Sequence, residues 1–218
     1  MQTFASQTFV SLVDFVSPRP RREAPQSAVE RGMLAATAVL SAVVLSGVWG
    51  LAANATGVAS AFSNVVRVPV LLVVSALASL PAVLLVWKLV GIQGARVTDM
   101  LVAYAVGLFG GALVLGALSP IVLLYQHSSA SFGPVVAKVS AAAALAAGIL
   151  VFVRVLGRLV SSTVSRRLLL IPIALQLVLQ VAALSQLAST TSPVFARRTV
   201  LGRGIDGWVS PEAQKRAP

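Results

Sequence analysis

The chain has no cysteine, a single histidine, and 6 acidic residues against 17 basic ones. Each scarcity removes a class of chemistry. Without cysteine, disulfides and thiolate metal sites are excluded, and the redox compartment leaves no trace. One histidine, His127, cannot build a haem pair or a di-metal site. No Asp or Glu lies inside an apolar run, so the acid relay of a proton-coupled pump is missing. P-loop and dinucleotide fingerprints are absent too, and Gly202-Arg203-Gly204 is too short a turn to count. Charged residues make up only 11% of the chain, against about 25% in soluble domains.

What is present is hydrocarbon. The sequence is 57% hydrophobic with a mean hydropathy of +0.92, which fits an integral membrane protein and no soluble class. The stretch Arg67–Tyr125 organises the reading: two long apolar runs joined by a polar turn containing Gln93, Gly94, Arg96, Thr98 and Asp99. Each run is long enough as a helix to cross a hydrocarbon core of ~30 Å. The whole chain reads as an all-α polytopic bundle of five spans, at about 33–53, 68–92, 99–125, 135–155 and 168–188. Residues 1–31 form an N-terminal cytoplasmic or interfacial segment, 32–190 the transmembrane domain and 191–218 an extramembrane tail. The N-terminal segment is too short to span. Phe9, Leu12, Val13 and Val16 share a helical face suited to the interface or to docking on the bundle. Pro69 reads as a first-turn proline of the second span, and Asn54-Ala55-Thr56 abuts the membrane too closely to count as a glycosylation acceptor.

Charge sets the orientation. With the N-terminus cytoplasmic, Arg19, Arg21, Arg22, Arg31, Lys88, Arg96, Arg154, Arg158, Arg166 and Arg167 lie on one side, and only Arg67 and Lys138 face the other. This positive-inside pattern puts the N-terminus in the cytoplasm and, with five spans, the C-terminus outside, the expected location being a bacterial inner membrane. The tail's five basic residues run against the rule, and its Trp208 suits the interface. The excess of 17 basic over 6 acidic residues is thus a membrane signal, with lipid rather than nucleic acid as the partner.

Ala103, Gly107 and Gly111 recur at spacing four, with Ala112 and Gly116 beside them. Small residues in that pattern make a groove where another helix brings its backbone close. Val106 is expected to face lipid. Gln176 and Gln180 lie one turn apart, with Ser185 and Gln186 further on. An amide in hydrocarbon needs a partner, so this stripe is expected to face the bundle or another subunit. Trp87 and Lys88 read as interfacial anchors, the lysine snorkelling to headgroups. His127 and Asp99 sit at opposite ends of one span, roughly 40 Å apart, so they cannot pair as base and acid.

Short pieces of the chain resemble an uncharacterised bacterial family of five-span membrane proteins, similar in layout to the Yip-domain trafficking proteins. They are Arg67-Val-Pro-Val-Leu-Leu-Val, Ser79-Leu-Pro81 with Gly91, Leu118-Ser-Pro120 with Tyr125 and Ser128-Ser129, Gln180, and Ser192-Pro-Val-Phe-Ala-Arg. None of these is catalytic. Trp87 and Gln186 depart from the pattern, standing where asparagine and arginine are expected. The functional expectation is a non-enzymatic structural or accessory subunit without cofactors, packing through small-residue faces with itself or with other membrane subunits. A small-solute pathway through Gln176, Gln180, Ser75, Ser79 and Tyr104 is one alternative, and a Yip-like membrane-shaping role is the other.

Overall fold

The computed structural model describes residues 10, 12–14, 16–17, 27–53, 58–89, 96–129, 132–159, 171 and 173–182. Gln186, Trp208 and the tail lie outside the described residues, as do Asn54-Ala55-Thr56 and the ends of the expected fifth span. Among the described residues there is helix and no strand.

Four long helices form the bundle: α1 (Ala28–Ala52), α2 (Val58–Leu89), α3 (Val97–Ser128) and α4 (Gly133–Leu159). All four contain runs long and apolar enough to cross a membrane, the run in α2 being Phe62–Leu89. A fifth apolar helix, α5, is described over Ile173–Ala182, about 15 Å of axis and half a bilayer core.

Local chemistry sets the helix starts. Ser27 caps α1: the Glu30 N–H donates to Ser27 Oγ at 3.1 Å, and the Ser27 N–H donates back to Glu30 Oε2 at 3.3 Å. At the head of α3, Asp99 Oδ2 accepts the Arg96 N–H at 3.2 Å, satisfying one of the donors a helix start leaves open.

α3 lies between α1 and α4 and packs along both, whereas α2 packs chiefly on α1. A helix apolar on every side belongs inside a bundle, and α3 is buried around most of its circumference from Val102 to Ala112. This corrects the reading of Val106 as lipid-facing: the residue is fully buried, because α3 has protein on both flanks. The start of α2 is corrected as well. The helix begins at Val58, so Pro69 lies in its interior. The added turns are held by packing on α1, where a Cβ built on Gly50 would fall 2.5 Å from the Asn64 carbonyl oxygen and one on Gly47 would fall 3.1 Å from that of Val65. Arg67 and Lys88 still bracket about 32 Å of α2, close to the thickness of a hydrocarbon core.

The N-terminal segment touches the bundle. Leu12 is fully buried in the main apolar cluster with Trp87, Met100 and Leu156, and Arg158 Nη2 donates to the Ser17 carbonyl at 3.3 Å.

Candidate functional site: a polar-ended cavity inside the bundle

Three of the small residues on α3 meet the two neighbouring helices. A Cβ on Gly107 would fall 2.8 Å from Phe152 Cβ, and one on Gly111 would fall 2.8 Å from the Ala144 carbonyl oxygen. From the other side, a Cβ on Gly148 would lie 3.0 Å from the Gly107 carbonyl oxygen. Gly107 and Gly111 therefore face α4 of the same chain. Gly116 points at α1, where a Cβ would meet Leu45 Cδ2 at 2.8 Å. Ala103 and Ala112 are fully buried.

Beside this seam lies a cavity of about 330 Å³, walled mainly by α2, α3, α4 and α5. Val68, Leu71 and Leu72 come from α2, Leu108 and Leu115 from α3, Leu145 and Ile149 from α4, and Leu177 and Val181 from α5. Gly107, Gly111, Ala112 and Gly148 leave room by having little or no side chain. Lys138 and Trp49 also line it. Lys138 and Phe152, both on α4, are fourteen residues or about 21 Å apart along the axis.

Polar groups gather near the Phe152 end. Gln176 on α5 is 1% exposed, and its Nε2 donates to Ser79 Oγ on α2 at 2.8 Å. Ser79 passes its own proton to the Ala76 carbonyl at 2.9 Å. Tyr104 on α3 stacks edge-on against Phe152, with ring centres 6.0 Å apart. Its hydroxyl lies beside Ser79 and Gln176, shut off from the cavity together with Gln176 Oε1. The residues Tyr104, Gln176 and Gln180 contribute to the cavity wall, and Gln180 is largely buried. Gln176, Gln180, Ser79 and Tyr104 thus come together from three helices. Ser75, one turn before Ser79 on α2, is buried and donates to the Leu72 carbonyl at 2.9 Å.

Other sites of the sequence reading are placed differently. Trp87 is 3% exposed inside the bundle with its Nε1 unpartnered, so its ring is not on the outer surface where an interfacial anchor sits. Lys88, next to it, is exposed in the last turn of α2. His127 is exposed in the last turn of α3, and Asp99 is buried at the opposite end. No group of three residues suited to a metal ion occurs among the described residues.

Two interior polar groups escape the sequence reading. Trp49 Nε1 on α1 donates to Ser140 Oγ on α4 at 2.9 Å, in a buried position. The signal for it is general: an indole N–H in an apolar run needs an acceptor, and Ser140 opens the alanine run of α4. Asn64 is 1% exposed on α2 with its Nδ2 unpartnered.

Compared with protein-family models, curated proteins and solved structures, the chain has no match.

Proposed function

We propose that the protein is a non-enzymatic integral membrane protein that holds a small, largely apolar molecule inside its bundle. The observation that carries this reading is the cavity of about 330 Å³, walled almost wholly by aliphatic side chains and small residues. Ligand pockets of roughly 300–1,000 Å³ are mostly apolar, with a few convergent polar groups. The cavity's aliphatic walls do not suit a water-filled pathway, so the cargo is apolar rather than an ion. The proposal includes a fifth span continuing α5 in both directions, and a bacterial inner-membrane location with the N-terminus cytoplasmic.

Binding of a polarity-sensitive naphthalene dye to the purified protein tests it. Ala141 borders the cavity and is only partly buried. Ala141→Trp should abolish saturable dye binding without lowering the unfolding temperature, whereas binding that persists in this variant overturns the reading.

The second reading is a structural or accessory subunit. It is favoured by Leu40, Val44, Val48 and Leu51, which run along α1 at 67%, 64%, 49% and 43% exposure. With Gly107 and Gly111 engaged by α4, another subunit would dock on an outward apolar ridge such as this one. Energy transfer between labelled copies in vesicles, absent at every protein-to-lipid ratio, would remove self-association from that reading. The membrane-shaping role implied by the resemblance finds no separate support in the geometry.

A further inference from the structure

We infer that the ligand is a single-chain amphiphile with an anionic head, such as a long-chain fatty acid, whose head pairs with Lys138 and whose chain runs along α4 towards Phe152. The inference rests on the cavity reading above and assigns the ligand's head and its direction.

The direction follows from one helix face. Lys138, Ala141, Leu145, Ile149 and Phe152 all line the cavity, and their spacings of three and four place them in a single stripe along α4. The stripe is about 21 Å long and carries charge at one end only. An amphiphile has the same polarity along its length. Lys138 stands five residues after Gly133, about 8 Å from the start of the helix, which lets its flexible stem hold the ammonium at headgroup depth. The apolar remainder of the stripe lies deeper, at the level of acyl chains. At about 330 Å³ the cavity is near the lower limit for ligand pockets, so it takes one chain.

Charge selects the head. Lys138 is half-buried and is the one charged residue among those lining the cavity. Among the described residues it has no ion pair and no hydrogen bond. The described acidic residues, Asp14, Glu30 and Asp99, all belong to the Arg31 end of the bundle. An ammonium carries three donors and no acceptor, and beside an apolar wall its charge is costly without a counter-ion. A carboxylate supplies the counter-charge and the acceptors together. The charge-assisted bonds it makes are stronger than those of an alcohol or an ester. A cationic head is repelled, and a neutral one leaves the charge uncompensated.

The test uses the full-length protein in nanodiscs and three photoreactive probes with the same diazirine-bearing alkyl chain. One ends in a carboxylate, one in a trimethylammonium and one in a methyl group. Saturable labelling by the carboxylate, mapped to α3 and α4 between Gly107–Leu115 and Ala141–Phe152, is expected, with the other two at least tenfold weaker. Lys138→Gln should reduce carboxylate labelling about tenfold and leave alkane labelling and the unfolding temperature unchanged, whereas Lys138→Arg should retain it. Arg67→Gln removes an equal charge from an exposed position that does not line the cavity, and it should change nothing. Equal labelling by carboxylate and alkane, or equal losses in Lys138→Gln and Arg67→Gln, overturns the head-group assignment and leaves the apolar-cavity reading standing. Absence of saturable labelling by any probe overturns both. Competition against the carboxylate probe then separates the sources of the anionic head. Displacement by free fatty acid alone supports the free acid, displacement by an anionic lysophospholipid alone supports a membrane lipid, and displacement by neither overturns the inference.

Discussion

Arg31 Nη1 donates to Asp99 Oδ1 at 2.9 Å, joining the first turns of α1 and α3 across 68 residues of sequence. The side chains are 17% and 7% exposed, so the pair is neither a solvated surface bridge nor fully desolvated. Exposed pairs contribute up to ~1 kcal/mol, and breaking a buried one costs roughly 3–5 kcal/mol. Asp99 has a second task, because its other oxygen holds the Arg96 N–H. Asp99→Ala should therefore destabilise the protein by about 2–3 kcal/mol, and Arg31→Ala by less. Thermal unfolding of the single and double variants in mild detergent measures the coupling. Strictly additive losses would mean that the two residues act separately.

The seam between α3 and α4 predicts a sharp contrast between glycines. Gly107→Ala brings a methyl to within 2.8 Å of Phe152 Cβ, an atom fixed to its backbone, whereas a Cβ at Gly157 meets nothing within 4 Å. Overpacking of this kind costs typically ~1–3 kcal/mol. In an open helix interior, replacing glycine by alanine gains up to ~1 kcal/mol. Gly107→Ala should thus lower the unfolding temperature in detergent and Gly157→Ala should raise it slightly. Equal tolerance at both positions would show that the helices stand further apart than these distances state.

Buried indole chemistry gives a third expectation. Ser140→Ala removes the acceptor of the Trp49 N–H, and Trp49→Phe removes the donor while leaving Ser140 Oγ its own bond to the Ala137 carbonyl at 2.8 Å. Interhelical hydrogen bonds in membranes average about 0.6 kcal/mol and reach ~1.7. Ser140→Ala should cost an amount in that range in wild type and almost nothing in the Trp49→Phe background. An undiminished loss in that background would show that the bond does not hold α1 to α4.

Much of this was legible in the sequence, and what was not has physical causes. Apolar run length suffices to announce α1 to α4, because a membrane leaves helices few alternatives. The spacing of Gly107 and Gly111 marks a close helix contact, yet spacing cannot say whether the facing helix belongs to the same chain. That depends on the order of helices around the bundle, and here α3 is central. The same order buries Val106, which no local pattern distinguishes from a lipid-facing valine. Trp87 shows a related limit: next to an exposed lysine it suits an interface, but Leu12 and Met100 share its apolar cluster. The Gln176 stripe was readable as inward-facing from the cost of a buried amide. Its meeting with Tyr104 and Ser79 was not, because three helices must be placed to bring those residues together.

The last prediction concerns the side on which each end lies. Val29 in the first turn of α1 is 70% exposed, and Ser128 is exposed at the far end of α3. Arg31 and Asp99 hold the starts of α1 and α3 at one end of the bundle, and Gln126 Nε2 donates to the Ala53 carbonyl at 3.1 Å at the other. Val29 and Ser128 therefore sit on opposite faces of the membrane. The basic residues Arg31, Lys88, Arg96, Arg154 and Arg158 share the Val29 end, the end proposed above to be cytoplasmic. Because the chain has no cysteine, single-cysteine variants label without background. In intact cells a membrane-impermeant maleimide should react with Ser128→Cys and spare Val29→Cys until lysis, and the reverse pattern would invert the orientation. A cysteine at Ser210 reads the number of crossings. Labelling together with Ser128→Cys means that α5 belongs to a complete fifth span. Labelling together with Val29→Cys means an even number of crossings, with α5 entering the bundle and turning back on the side from which it came.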